Sequence, residues 1–230
     1  MLLECKAVEK SYGNKKVLDR VDLQLQEGRI IGLLGKNGTG KTTLLKLIND
    51  LLTLDCGEIL FQGGPIGVES KKRIAYLPER TYLDKSMTVR EVIRFFSDFY
   101  DNFDSEKARR LLKDLSLDEQ MRLSKMSKGM QEKVQLVLVM SRKADLYILD
   151  EPLGGVDPAT RDYILDTILT NFDAGSSVLI STHLISDIER VLDDVIFIND
   201  GKVVLSENCD ALREREGASV DEIFRRMFRC

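Results

Sequence analysis

Apolar residues along this chain follow two alternating patterns. Short runs rich in leucine and β-branched residues recur between segments with helical spacing, which is typical of a mostly parallel sheet with crossover helices. The runs are residues 30–34, 147–149, 178–180 and 195–198. The pattern therefore predicts an α/β fold.

The first third of the chain has a different pattern. Residues 2–8, 17–25 and 57–61 are predicted strands, and turn residues separate them with little room for crossover helices. We expect these strands to form a small antiparallel sheet beside the parallel one.

The middle of the chain, residues 81–135, lacks the strand pattern and predicts helices. Thr88 is followed three residues later by Glu91, a capping-box arrangement at a helix start. Apolar residues then continue at helical spacing, at Val89, Ile93, Phe96 and Tyr100.

Aromatic residues are concentrated in the same segment. Five of the chain's aromatics lie there: Phe95, Phe96, Phe99, Tyr100 and Phe103. They form either the core of a helical subdomain or a groove for a partner. The second interpretation requires that at least one of them is exposed.

Two later segments also predict helices. One begins near Asp157, a good N-cap followed by Pro158 at the first helical position, and carries Ile164, Leu165, Ile168 and Leu169 inward. The other is amphipathic and covers residues 217–228, with apolar residues on one side. Those residues are Val220, Ile223, Phe224 and Met227.

Composition limits the class of protein. The 230 residues, 43% apolar and 31% charged, suffice for one or two closely packed domains. The net charge of −4 argues against a strongly basic face, so we expect no nucleic-acid partner. The four cysteines form no CxxC pair, which favours reduced thiols in a cytosolic protein, and the apolar runs predict neither a signal peptide nor a membrane span.

Residues 35–42 carry the first chemical motif. Gly-Lys-Asn-Gly-Thr-Gly-Lys-Thr follows the predicted strand 30–34 and precedes a leucine-rich predicted helix, residues 43–52, which is the context of a phosphate-binding P-loop. Its glycines allow backbone N–H groups to face phosphates, Lys41 reaches the β and γ phosphates, and Thr42 can ligate magnesium (Mg2+). The predicted nucleotide-binding residues here are Gly35, Asn37, Gly38, Gly40, Lys41, Thr42 and Thr43.

Two adjacent carboxylates close the apolar strand that ends at residue 149. Asp150 is placed to hold magnesium, and Glu151 to polarise an attacking water. The alternative is a surface acidic pair at a strand end. The P-loop elsewhere in the chain favours the catalytic interpretation.

The single histidine, His183, follows another predicted strand, residues 178–180. Carboxyl ends of parallel strands share one edge of a sheet, where open α/β folds bind ligands. His183 is therefore a candidate for orienting water or sensing the γ phosphate, although a lone histidine is often structural.

Residues 126–130, Met-Ser-Lys-Gly-Met, resemble the LSGGQ signature of ABC transporters. With the P-loop and the acidic strand end in the expected order, the whole chain resembles the nucleotide-binding subunit of such a transporter. The resemblance implies a RecA-like P-loop NTPase core, residues 1–80 and 136–230, which includes the antiparallel β subdomain. Residues 81–135 would be the inserted helical subdomain that bears the signature.

The same resemblance implies a composite ATP site. Ser127 and Gly129 would contact the γ phosphate of ATP held by a second ATP-binding subunit, identical or similar, so that two subunits enclose two ATP molecules with magnesium. Tyr12 would stack on adenine, residues 155–157 would cross the dimer, and His183 would be the switch histidine. Hydrolysis would drive a separate transmembrane permease from the cytoplasmic face of the membrane.

Three positions depart from the family pattern. Lys128 replaces the first signature glycine and Met130 the glutamine, as in many bacterial export-type cassettes. Glu79 stands where glutamine is usual, and its carboxylate can reach magnesium but adds negative charge near the phosphates. Leu-Gly-Gly at 153–155 is more flexible than the usual loop before Asp157, and we assign no consequence to it.

Two other functions remain open at this point. A soluble ABC ATPase acting on nucleic acid or the ribosome would typically carry coiled-coil insertions, zinc-binding cysteines or two cassettes, and the sequence contains none of these features. A binding-only regulator is disfavoured because Lys41, Asp150, Glu151 and His183 are all present.

Overall fold

A computed structural model describes residues 1–154, 158–173 and 175–228. The strands of these ranges are β1 Leu3–Tyr12, β2 Lys15–Leu25, β3 Ile30–Leu34, β4 Cys56–Phe61, β5 Gly64–Pro65, β6 Ile74–Leu77, β7 Leu146–Asp150, β8 Ser177–Thr182, β9 Asp194–Asn199 and β10 Lys202–Asn208. The helices are α1 Lys41–Ile48, α2 Val68–Arg73, α3 Val89–Phe99, α4 Ser105–Asp114, α5 Lys128–Met140, α6 Pro158–Asn171, α7 Ile185–Ile188, α8 Cys209–Glu216 and α9 Val220–Phe228. A 3-10 turn covers Leu123–Lys125.

The larger sheet has the strand order β10-β9-β3-β8-β7-β6. Its neighbours pair in parallel from β9 to β6, and β10 is antiparallel to β9. Strands β7 and β8 are buried along their whole length, as expected for parallel strands covered on both faces. The predicted α/β fold with a mostly parallel sheet is confirmed.

The smaller sheet has the order β2-β1-β4-β5, and its strands are antiparallel. One apolar layer is formed by residues of this sheet, of α1 and of one face of the larger sheet. The other apolar layer lies between the larger sheet and the helices, including α3 to α6. The predicted antiparallel sheet is confirmed.

The capping box at the start of α3 forms as predicted. The Thr88 N–H donates to Glu91 Oε2 at 2.7 Å, and the Glu91 N–H donates to Thr88 Oγ1 at 3.2 Å. Helix α5 continues past residue 135 and ends at Met140. The division into units at residues 80 and 135 stays a prediction.

The aromatic residues of α3 and its C-terminal loop divide between core and surface. Phe96 is buried, and Tyr100 and Phe103 are partly buried against it. Phe95 and Phe99 are 55% and 68% exposed, and their rings stack with centroids 6.1 Å apart. The core interpretation therefore holds for Phe96, and the partner groove stays a prediction that the exposure of Phe95 and Phe99 allows.

Several predicted bounds were wrong. The helix predicted over 43–52 begins at Lys41 and ends at Ile48, because Asp50 adopts a left-handed conformation with φ 51° that stops the helix. The final segment forms a helix only from Val220, and Met227 is exposed there while Phe228 packs on the buried Phe224. The start of α6 at Pro158 agrees with the prediction, and its predicted cap, Asp157, lies outside the described residues.

No helix of the described ranges combines the length and the apolar character needed to cross a membrane.

Candidate nucleotide-binding site

The P-loop connects β3 to the N-terminus of α1, so backbone N–H groups and the helix dipole converge on one side of the loop. Two of its glycines are required by close packing. A Cβ at Gly35 would lie 2.6 Å from the Ile198 carbonyl oxygen, and one at Gly40, where φ is +106°, would lie 2.9 Å from the Val17 carbonyl oxygen. The loop therefore packs directly on its neighbours with no room for side chains at these positions.

Hydrogen bonds from residues that are not among the predicted nucleotide-binding residues fix the backbone of the P-loop. The Gly201 N–H, in the turn between β9 and β10, donates to the Thr39 carbonyl oxygen at 3.1 Å. The Thr39 hydroxyl donates to the Lys36 carbonyl oxygen at 2.9 Å. The contact from Gly201 joins a distant part of the chain to the loop, which a local motif does not reveal.

A cleft of about 1200 Å³ opens over the P-loop. Predicted site residues that line it are Tyr12, Asn37, Gly38, Gly40, Lys41, Thr42, Thr43, Glu79, Asp150, Glu151 and His183. Three other predicted residues, Gly35, Ser127 and Gly129, are not among the described residues that line this cleft. The fold thus brings the strand-end residues to the P-loop and leaves the signature pair outside.

Lys41 is the buried cation of the cleft. Its Nζ donates to the Gly35 carbonyl oxygen at 2.7 Å and lies 3.4 Å from Glu151 Oε1. The ammonium group is therefore held at the floor of the P-loop, where a phosphate oxygen could bind it.

Asp150 ends β7 as a buried carboxylate. Burial raises its pKa, hydrogen bonds from Ser181 and Thr42 oppose that shift, and the negative charges of Glu151 and Glu79 add to it. Both hydroxyls donate to Oδ1, and the distances from hydroxyl oxygen to Oδ1 are 2.5 Å for Ser181 and 3.2 Å for Thr42. Oδ2 has no hydrogen-bond partner in the described part of the chain.

These oxygens fit a magnesium ion. Magnesium prefers hard oxygen ligands and is usually held by one or two carboxylates together with phosphate oxygens. The Thr42 hydroxyl and the unpartnered Oδ2 of Asp150 supply such ligands beside the P-loop. No group of three His, Cys, Asp or Glu side chains that could hold a metal is found among the described residues.

Glu151 is held in an unusual conformation. Its φ of 50° is left-handed, which is rare for residues other than glycine and often occurs at functional sites. The turn is closed by the Gly154 N–H, which donates to the Glu151 carbonyl oxygen at 3.0 Å. The carboxylate lies between two groups, with Oε1 near Lys41 and Oε2 2.9 Å from His183 Nδ1.

Glu79 follows β6 at the rim of the cleft and is exposed. The segment before it is attached to α5, because Gln135 Nε2 donates to the Pro78 carbonyl oxygen at 3.1 Å. No motif or strand end in the sequence marks Gln135, which is a buried residue of α5. A role of Glu79 toward magnesium stays a prediction.

Tyr12 ends β1 at the other side of the cleft and is 50% exposed. Lys10 Nζ lies 5.9 Å from the centroid of its ring and is itself fixed by Asp55 at 2.6 Å. The exposed ring could stack on a base, as predicted from the family resemblance.

Ser127 is the N-cap of α5, where its Oγ accepts a hydrogen bond from the Met130 N–H at 3.3 Å. Ser127 and Lys128 are exposed, so the N-terminus of this helix is open to a ligand or a partner. The predicted dimer-crossing residues, 155–157, lie outside the described residues.

Comparisons with known proteins identify the family. A sequence model of the ABC transporter family matches residues 18–154. The chain is 31% identical over 216 residues to the ABC transporter ATP-binding protein YtrB of Bacillus subtilis, covering 93% of this chain and 74% of that protein. It is 32% identical to the SkfA peptide export ATP-binding protein SkfE of the same organism, covering 88% of this chain and 87% of SkfE.

A solved structure described as the ATP-binding subunit of an ABC transporter agrees with these matches. It superposes with a TM-score of 0.88 and 30% identity, over 99% of this chain and all of that one. The chain therefore belongs to the ABC transporter family as an ATP-binding subunit, and it is an ATPase.

Proposed function

We propose that the chain hydrolyses Mg-ATP in a site completed by a second ATP-binding subunit, and that this cycle drives export through a membrane permease. The observation that carries the proposal is the position of the Glu151 carboxylate between Lys41, at 3.4 Å, and His183, at 2.9 Å. A phosphate-binding cation, a candidate base and a histidine thus lie within contact of one another.

The geometry supports a sequence of contacts during hydrolysis. Phosphate oxygens of ATP compete with Glu151 for Lys41, which frees Oε1 to accept a hydrogen bond from a water. The water oxygen attacks the γ phosphorus, the bond from that phosphorus to the ADP oxygen breaks, and the water proton passes to Glu151. An ionised carboxylate only accepts hydrogen bonds, so His183 Nδ1 carries the proton that holds Oε2 in place.

Magnesium would be held by Thr42 and Asp150, with Glu79 within the same cleft. Bound there, the ion neutralises charge on the β and γ phosphates. The unpartnered Oδ2 of Asp150 supports this assignment.

The second subunit would supply Ser127 and Gly129 to the γ phosphate bound here, while Tyr12 stacks on adenine. Two observations support this arrangement. Ser127 and Gly129 are not among the residues that line their own cleft, although Lys128 between them is, and they mark the exposed N-terminus of α5, which favours an anionic ligand.

The permease is proposed to dock on the exposed ring pair Phe95 and Phe99. A shallow depression of about 380 Å³ borders Phe95 and includes Met87, Arg94 and Asp98, so an apolar centre has a charged rim, as in many protein interfaces. The chain would then lie as a peripheral subunit on the cytoplasmic face of the membrane. The similarity to SkfE, a peptide export ATP-binding protein, supports export as the direction of transport.

Substitution of Glu151→Gln tests the catalytic assignment. The amide keeps the shape of the side chain but cannot take a proton, so steady-state hydrolysis should fall by roughly 100-fold or more. ATP-induced dimerisation, measured by size-exclusion chromatography with light scattering, should persist. Glu214→Gln, an exposed change on α8, is the control, and unchanged turnover in the Glu151 variant would remove that residue from the base role.

A further inference from the structure

Ser181 lies in β8, two residues before His183, and touches both acidic residues of the site. We propose that Ser181 is a positioning residue that fixes the Asp150 carboxylate and the Glu151 backbone relative to each other. This inference rests on the proposed function and adds a residue to the same site.

The contacts are short and enclosed. Ser181 is fully buried and lies opposite Asp150 in the parallel pairing of β7 with β8. Its Oγ lies 2.5 Å from Asp150 Oδ1 and 3.2 Å from the Glu151 nitrogen, and its carbonyl oxygen accepts from the same nitrogen at 3.0 Å.

The chemistry of the groups allows one orientation of the hydroxyl. An ionised carboxylate only accepts hydrogen bonds and a backbone N–H only donates them, whereas a serine hydroxyl has one proton and two lone pairs. Ser181 must therefore donate to Asp150 and accept from Glu151. A single atom links the proposed magnesium ligand to the proposed base.

Two geometric consequences follow from this link. The hydrogen bond from Ser181, together with that from Thr42, occupies Oδ1 of Asp150 and leaves Oδ2 as the oxygen without a partner in the described residues. The bonds to the Glu151 N–H hold that residue at its left-handed φ of 50°, from which its carboxylate reaches Lys41 and His183.

The same strand contains a matched control. Ser177 is also fully buried, and its side chain lies on the same face of β8 because it is four residues away. Its hydroxyl donates to the Gln26 carbonyl oxygen at 3.1 Å. Gln26 is distant in sequence from the acidic pair, and Ser177 lies at the opposite end of β8 from Ser181. Ser177→Ala therefore removes a buried hydroxyl without touching the site.

The test compares Ser181→Ala, Ser177→Ala and Asp150→Asn in the full chain. Measurements are the kcat and KM of ATP hydrolysis, Mn2+ binding in the presence of ATP by electron paramagnetic resonance, ATP binding in EDTA, and the melting temperature. Loss of a residue that orients a metal ligand typically costs 10- to 100-fold in metal affinity or activity. We expect losses of roughly that size in kcat and Mn2+ affinity for Ser181→Ala, with ATP binding in EDTA and melting temperature equal to those of Ser177→Ala.

Three results would overturn parts of this assignment, and they can be told apart. If Ser181→Ala matches Ser177→Ala while Asp150→Asn loses Mn2+, the positioning role fails and the proposed function stands. If Asp150→Asn binds Mn2+ like the unmodified protein, the proposed metal site itself fails. If Ser181→Ala also loses ATP binding in EDTA, the hydroxyl supports the whole cleft and the specific role is rejected.

Discussion

Glu79 places a third carboxylate in a cleft that already contains Asp150 and Glu151. The pKa of Asp150 is raised, mainly by burial and in part by the charges of the other two carboxylates, Glu151 and Glu79. These carboxylates oppose the attraction that Lys41 and the other basic residues of the cleft exert on the phosphates of ATP, so the affinity for nucleotide should depend on magnesium.

Substituting Glu79→Gln should weaken this dependence. Two unit charges near a protein surface interact with a free energy of about 1 kcal/mol or more. Without the negative charge of Glu79, ATP in EDTA should therefore bind roughly fivefold more tightly to the variant. The affinity gained on adding magnesium should be correspondingly smaller. Titration calorimetry with and without magnesium measures both quantities.

Glu69→Gln supplies the control, because this exposed carboxylate on α2 does not line the cleft and its loss should change neither affinity. An equal magnesium effect in Glu79→Gln and in the unmodified chain would show that Glu79 neither repels phosphate nor contacts the ion.

Among the elements, one buried cation, Arg142, adds polar contacts to the apolar packing between the helical region and the larger sheet. Its guanidinium donates to the carbonyl oxygens of Lys71, Lys72 and Ile74 at 3.0, 3.1 and 2.8 Å, where α2 ends and β6 begins. It also lies 3.9 Å from the centroid of the Tyr100 ring, at the end of α3. Arg142 therefore joins α2, α3 and the start of β6 just after α5 ends.

Removing this joint should destabilise the protein. Arg142→Met keeps much of the side-chain volume but deprives buried carbonyl groups of charged donors, which should lower the free energy of unfolding by roughly 2–4 kcal/mol. Arg110→Met, an exposed change on α4, should alter it by less than about 0.5 kcal/mol. Urea unfolding followed by circular dichroism compares the two, and equal stability would show that the joint contributes nothing.

The strands that the sequence predicted most directly are those that are buried along most of their length. Buried parallel strands such as β3 and β8 are apolar throughout, so their runs stand out in the sequence. Strand β10 at the sheet edge has only exposed and half-buried residues, and β6 has four residues, so neither gives a clear pattern. Both were missed for this reason.

The site residues also divide into those that a local pattern marks and those that it does not. Lys41, Asp150 and His183 were found because a motif or a strand end marks them, and parallel strands bring their ends together. Ser181 and Gln135 were not, because their roles depend on the partners that face them, Asp150 and Pro78, from another strand and another segment. Side-chain contacts between distant segments are set by packing, which the local pattern does not contain.

At the scale of the whole molecule, α5 links the nucleotide site to the helical region. Its first turns line the cleft at Lys128 and Gln131, and its last residue, Met140, precedes the joint at Arg142. Helix α3 packs on α5 and carries Phe95 and Phe99 on the surface. A partner bound to these rings would therefore be connected to the cleft through packed helices.

The double substitution Phe95→Ser and Phe99→Ser tests whether this surface binds the permease. The stacked rings are more than half exposed, and truncating aromatic anchors at the centre of an interface typically costs 2 kcal/mol or more for each residue, so association should weaken by at least 30-fold. Leu51→Ser, a similarly exposed apolar residue after α1, should leave association intact. Co-purification from membranes that contain the permease, with quantified band ratios, measures the effect. If the double variant and Leu51→Ser are retained equally while both keep ATP binding, the permease contacts another face and the exposed rings of α3 have a different role.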